Sequence, residues 1–174
     1  MKTLVAVMLF AVYGLAQQSS TPPPFHEACG PLQVNFETNT SNSRPPAQPE
    51  PGKALVYVAE DFQTAGATVG APTFKVGLDG AWVGATHGSS YLVFSVDPGE
   101  HHMCVRWQSH LDWYSRLVSF ARLRAEPGKT YYFRARAMSS SSPATMYLDL
   151  DPIDPDEGQY MVASSHLMSA QAKK

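Results

Sequence analysis

Turn signals cut this chain into runs too short for ordinary helices, and their spacing limits the fold more than any other feature. Asp79-Gly80 separates Thr73–Leu78 from Ala81–Ala85. Glycine accepts the positive φ of a tight hairpin turn, so these two runs predict a β-hairpin. Asp97-Pro98-Gly99-Glu100 separates Tyr91–Val96 from His101–Gln108 and predicts a second hairpin. Ala125-Glu126-Pro127-Gly128-Lys129 is a third turn of the same chemistry, between Leu117–Arg124 and Thr130–Met138. In Thr130–Met138, Tyr131, Phe133, Ala135 and Ala137 share one face, with Tyr132, Arg134 and Arg136 on the other. That period of two predicts a strand whose first face is core. Hydrophobic residues at 44% and charged residues at 16% of 174 positions are enough to bury one such core.

The remaining segments extend the pattern. Ala54–Val58 is a β-branched and aromatic run bounded by Gly52 and Glu60-Asp61, which predicts a largely buried strand. Leu32–Phe36 alternates as a short strand, and Met146–Leu150 resumes the alternation after a flexible loop at Ser139–Ser142 and Pro143. Pro45, Pro46, Pro49 and Pro51 make Ser41–Gly52 resistant to helix and sheet. Asp154 offers an N-cap, Pro155 fits the first helical position and Glu157 suits a capping box, so a helix is predicted over Pro155–Ala163, weakened by Gly158. The prediction is an all-β fold: an antiparallel β-sandwich of seven to eight strands over residues 53–165, with one short C-terminal helix. Residues 166–174 are expected to fray as a polar tail.

Met1–Ala16 has the form of a secretory signal: Lys2, an apolar run from Leu4 to Val12, then Gly14-Leu15-Ala16 before polar Gln17. The run is too short to span a bilayer, and no other segment reaches that length. Cys29 lies well past Ala16, so lipid anchoring at the cleavage point is not expected, and the chain is expected to be periplasmic or extracellular. Residues 17–52 then form a Pro-rich N-terminal segment. Two cysteines in an oxidising compartment favour a Cys29–Cys104 disulfide over two buried thiols. Cys104 alternates with Met103, Val105 and Trp107, so it would face away from the core and receive the N-terminal segment as a clasp. The formal charge is −2, with no basic field of the kind nucleic acid needs. Asn39-Thr40-Ser41 matches a glycosylation sequon, a pattern common by chance.

Several of these stretches occur in a familiar order: Pro51–Val58, Val76–Gly84, Val96–His101, Ala125–Phe133 and Asp156-Glu157-Gly158. The set resembles an uncharacterised bacterial envelope family, domain of unknown function 2846, across Pro51 to about Ser165. It also looks like a distant relative of PEGA-type surface modules. The resemblance implies a β-sandwich in an exported location and carries no catalytic residues. Many members of that family are lipoproteins, whereas this chain lacks the lipidation cysteine.

Candidate chemistry is sparse. His87, His101, His102 and His110 cluster in sequence, but adjacent His101 and His102 point to opposite faces of a strand, so no metal site and no cofactor are expected. Gly88-Ser89-Ser90 lacks the G-x-S-x-G pattern. Asp149, Asp151, Asp154, Asp156 and Glu157 do not have the spacing of a calcium loop. Trp82 and Trp107 alternate with apolar residues and are expected in the core. Trp113 and Tyr114 lie in Ser109–Arg116, a loop able to project, with Arg106 and Arg116 close in sequence. These four are the candidate binding surface for an envelope protein or glycan. The function expected is a non-enzymatic envelope module. The alternatives are a metal-dependent or hydrolytic enzyme using His101, His102 or His110, and a small-ligand carrier.

Overall fold

A computed structural model describes residues 29–61, 70–141 and 144–174. The signal sequence expected at 1–16 and most of the leader after it lie outside the described residues. The strands are β1 (Phe36–Thr40), β2 (Ala54–Asp61), β3 (Thr73–Leu78), β4 (Ala81–His87), β5 (Ser90–Val96), β6 (Gly99–Trp107), β7 (Val118–Ala125), β8 (Thr130–Ser141), β9 (Ala144–Ile153) and β10 (His166–Ala172). Two helices, α1 (Asp112–Ser115) and α2 (Pro155–Ala163), complete the order. The strands form a six-stranded sheet, β1-β10-β5-β2-β8-β9, facing a four-stranded sheet, β4-β3-β6-β7. The all-β sandwich with a short C-terminal helix is thus the fold. Two pairings, β10 with β5 and β2 with β8, are parallel.

The core lies between the sheets. Val56, Val58 and Phe133 meet Phe74, Val76, Met103 and Val105, all nearly inaccessible to water. A second cluster lies on the outer face of the six-stranded sheet, where Leu55, Tyr57, Ala59 and Tyr91 are covered by Met161 and Val162 of α2. The β8 alternation separates these layers as expected: Phe133 and Ala135 belong to the core, while Tyr132 stacks on Tyr57 with ring centroids 5.1 Å apart. Asp154 caps α2 by accepting from the N–H groups of Asp156 and Glu157. Gly158 is required here rather than a weakness, because a Cβ would stand 2.2 Å from Cγ of Tyr132.

Local turn chemistry divides into two outcomes. Asp79 and Gly80 both take positive φ, 50° and 83°, and join β3 to β4 as a true hairpin. A turn with both central residues there matches the twist of paired strands. The segment Asp97-Pro98 instead carries the chain from β5 in one sheet to β6 in the other, so the expected second hairpin is a corner. The Glu126–Lys129 turn likewise links β7 to β8 across the sandwich. Proline presets φ for type I and II turns, which splay the flanking strands apart.

Three expectations near the ends change. The first strand begins at Phe36, not Leu32, because the carbonyls of Leu32 and Val34 accept from Lys75 Nζ at 3.4 and 2.8 Å. Ser139–Ser141 continue β8 rather than opening a loop. Residues 166–172 do not fray: β10 pairs with β1 along Phe36–Thr40 and with β5 at Ser90 and Tyr91. A polar segment forms a strand here because its backbone groups find ladder partners on both sides.

Candidate functional site

The loop between β6 and β7 is built around one buried ring. Tyr114, 5% exposed, packs against Trp107 with centroids 4.4 Å apart, so it belongs to the core and is removed from the candidate binding surface. Burial of Tyr114 fixes α1 and thereby positions its neighbour. Trp113 lies against the Tyr114 ring yet is 52% exposed, and Leu111 beside it is 44% exposed. Local hydrogen bonds hold the turn: Leu111 N–H donates to Ser109 Oγ at 3.0 Å, Ser115 Oγ donates to the Asp112 carbonyl at 2.8 Å and Leu117 N–H donates to the Tyr114 carbonyl at 2.9 Å. Arg116 pairs with Asp112 one helical turn away, and both are exposed. An indole is therefore displayed on a rigid base with a carboxylate and a guanidinium beside it. Arg106 stands apart on the outer face of β6, half-buried and level with Lys75 of β3.

The clasp is present: Cys29 is bonded to Cys104 across a sequence separation of 75 residues, with Cα atoms 5.6 Å apart. It holds Cys29–Val34 over the outer face of the four-stranded sheet. Trp82, expected in the core, is instead half-buried under this strap, donating from Nε1 to the Pro31 carbonyl at 2.9 Å. Lys75 Nζ lies 4.5 Å from the centroid of the Trp82 ring. Burial, and then the charge of Arg106, bring Lys75 down to about 8.

The histidines are dispersed. His101 directs Nδ1 at Asp79 Oδ2, 2.6 Å away, and Nε2 at the Asp97 carbonyl, 2.7 Å away. Both partners accept, so both ring nitrogens donate and the imidazolium form is favoured. Burial opposes that charge, but Asp79 and Asp97 outweigh it and hold His101 above its ordinary value. Burial opposes the Asp79 charge as well, and the bonds from His101 and His102 N–H overcome it to lower the carboxyl. His102 and His110 are exposed, and His87 bonds Thr73 Oγ1 at 3.0 Å. Among the described residues, no three His, Cys, Asp or Glu side chains converge as metal ligands.

Two further features carry no motif. Glu60, expected to bound β2, lies within it and is 1% exposed. Among the described residues, neither carboxyl oxygen has a hydrogen-bond partner, and the nearby donors Thr86 Oγ1 and Gly88 N–H are directed at the carbonyls of Phe74 and Pro72. Burial raises this carboxyl well above its usual range, despite the smaller opposing influence of those two donors. A cleft of about 290 Å³ opens beside α2, lined by Asp61, Ser89, Arg134, Glu157 and Tyr160 among others. Glu157 already holds Arg134 at 2.5 Å, so the one cation of the cleft is neutralised from within. Sequence gave no signal for either feature, because both depend on which strands become neighbours. No protein family, curated protein or solved structure matches the chain.

Proposed function

We propose that this chain is an exported, non-enzymatic module of the bacterial cell envelope that grips a glycan through the turn carrying Trp113. The observation that carries the reading is the contrast between adjacent rings: Trp113 is 52% exposed while Tyr114 is 5% exposed and packed on Trp107. Exposing an indole forgoes its burial, and fixing it beforehand removes the ordering cost that weakens flexible binding loops. A sugar ring offers a C–H face to the indole and hydroxyls to polar groups, and Asp112 and Arg116, paired with each other, are exposed on the same turn. Export is supported by the signal-like sequence at 1–16 and by a disulfide of the kind that persists in oxidising compartments.

The test is retention of the full chain on insoluble cell-wall polysaccharide, beside the variant Trp113→Ala. Loss of a central aromatic anchor is expected to weaken retention by about thirtyfold, or about 2 kcal/mol. The circular dichroism spectrum should be unchanged, because Trp113 contributes little to the core. Equal retention of the two proteins would overturn the reading.

A further inference from the structure

The outer face of the four-stranded sheet carries arginines that, among the described residues, no carboxylate pairs with. On β6, Met103, Val105 and Trp107 are buried, so His102, Cys104 and Arg106 point outward. On β7, Leu123 and Ala125 are buried, which turns Arg122 and Arg124 outward, where both are exposed. The register sets Arg106 opposite Val118, His102 opposite Arg122 and Glu100 opposite Arg124. Among the described residues the ion pairs are Lys53–Glu50, His101–Asp79, Arg116–Asp112, Arg134–Glu157, Arg136–Asp149 and Arg136–Asp151. Arg106, Arg122 and Arg124 take part in none of them, and even Glu100, facing Arg124 in the register, is not within ion-pair distance.

Among the described residues, a protein of net charge −2 has thus gathered three guanidinium groups without an ion-pair partner on one sheet face. Arg122 and Arg124 are two residues apart on one strand, about 7 Å, and Arg106 stands four positions from Arg122 in the register, about 14 Å along the strands. The groups form a track rather than a cluster, and between Arg106 and Arg122 it runs along β7 past Phe120, because Cys104 opposite is buried under the strap. Its Arg106 end is the end from which the chain leaves β6 for the Trp113 turn and returns as β7. Guanidinium forks take carboxylate, phosphate and sulfate groups in paired hydrogen bonds, and a file of them suits a ligand whose negative charges repeat.

We infer that the face of β6 and β7 binds an acidic polysaccharide, laid from the Trp113 turn along Arg106 and Arg122 to Arg124. This rests on the glycan reading above and supplies the charge of that glycan. A single file of charges suits a chain better than an anionic membrane, whose headgroup charges spread over an area.

The experiment measures binding of the full, disulfide-bonded chain to heparin, polygalacturonate and neutral dextran. Vesicles of phosphatidylcholine with and without phosphatidylglycerol are measured alongside. The variants are Arg122→Glu/Arg124→Glu, both at exposed positions, and Trp113→Ala. Heparin or polygalacturonate should bind about tenfold or more tightly than dextran, and the double charge reversal should remove about that preference. Added salt should weaken the wild type more than the double variant. Equal affinity for dextran, no effect of the charge reversal, or binding to phosphatidylglycerol vesicles alone would each overturn the inference. Loss in Trp113→Ala with none in the arginine variant would leave the glycan reading standing and remove this one. The converse pattern would keep the acidic ligand and remove Trp113 from its site.

Discussion

The two outer faces of this sandwich solve the same covering problem by different means. On the six-stranded sheet, α2 and the Pro-rich segment pack onto a tyrosine-rich layer, with Tyr57 reaching the Pro46 carbonyl at 2.9 Å. The arginines of that face are matched: Arg134 with Glu157, and Arg136 with Asp149 and Asp151 at 3.2 and 3.1 Å. On the four-stranded sheet a single covalent bond holds a thin strap that covers Lys75 and Cys104 and leaves Arg122 and Arg124 in water. The difference teaches that a face covered by a helix satisfies its own charges, whereas one covered by a strap keeps charge available to a partner.

The sharpest way to break this comparison is to cut the strap. Cys104→Ser removes a crosslink over 75 residues, and the chain-entropy account puts the loss at about 4 kcal/mol. Denaturant midpoints of the two proteins measure it. Hydrogen exchange should show protection lost first in Cys29–Thr40, with α2 and its tyrosine layer retained. Uniform loss over both faces would mean that the strap supports the whole sandwich. A smaller effect is expected on the opposite face from Gly158→Ala. The added methyl meets the Tyr132 ring, and overpacking of this kind costs about 1–3 kcal/mol. A thermal melt at unchanged midpoint would show that α2 can slide away freely.

The smallest expected effect concerns pH at the end of the strapped sheet, where His101 ties the Asp79 turn to the Asp97 corner. His101 is raised in the folded state, so its contribution is complete below its ordinary value of 6.5 and is lost as pH rises through the higher folded value. Asp79 is lowered, so its contribution is present above 3.8 and is lost as pH falls through its folded value. The clamp therefore helps most between these limits. Urea midpoints of the wild type should fall relative to those of His101→Gln as pH rises from 6.5 toward 8, and parallel profiles would remove the clamp from the account.

Much of this architecture was legible in local sequence. The alternation of Thr130–Met138 separated core from outer layer, Asp79-Gly80 marked a turn whose backbone twist suits a hairpin, and Asp154-Pro155 marked the start of α2. What failed was non-local. Proline turns at Asp97 and Glu126 look like hairpins until it is known that their strands pair elsewhere. The polar segment His166–Ala172 has no burial pattern of its own and becomes a strand only between β1 and β5. At the candidate site, the projecting loop was legible, but which aromatic would be the anchor and which the contact was not. Trp113 and Tyr114 differ in exposure because Trp107 lies beneath only one of them. The arginine track was not legible because Arg106 and Arg122 come onto one face only when β6 pairs with β7.

Pairing of β1 with β10 also sets a schedule for folding. Asn39 and Ser169 touch although 130 residues separate them, and Lys173 N–H reaches the Asn35 carbonyl at 2.8 Å. A chain made from its N-terminal side delivers β1 well before β10, so the outermost ladder closes only after the strands between them exist. Until then β5 presents an unpaired edge on one side, open to strands of other chains. Completion of the sheet is in this way deferred to a late strand, while the Cys29–Cys104 bond tethers the early one until its partner arrives.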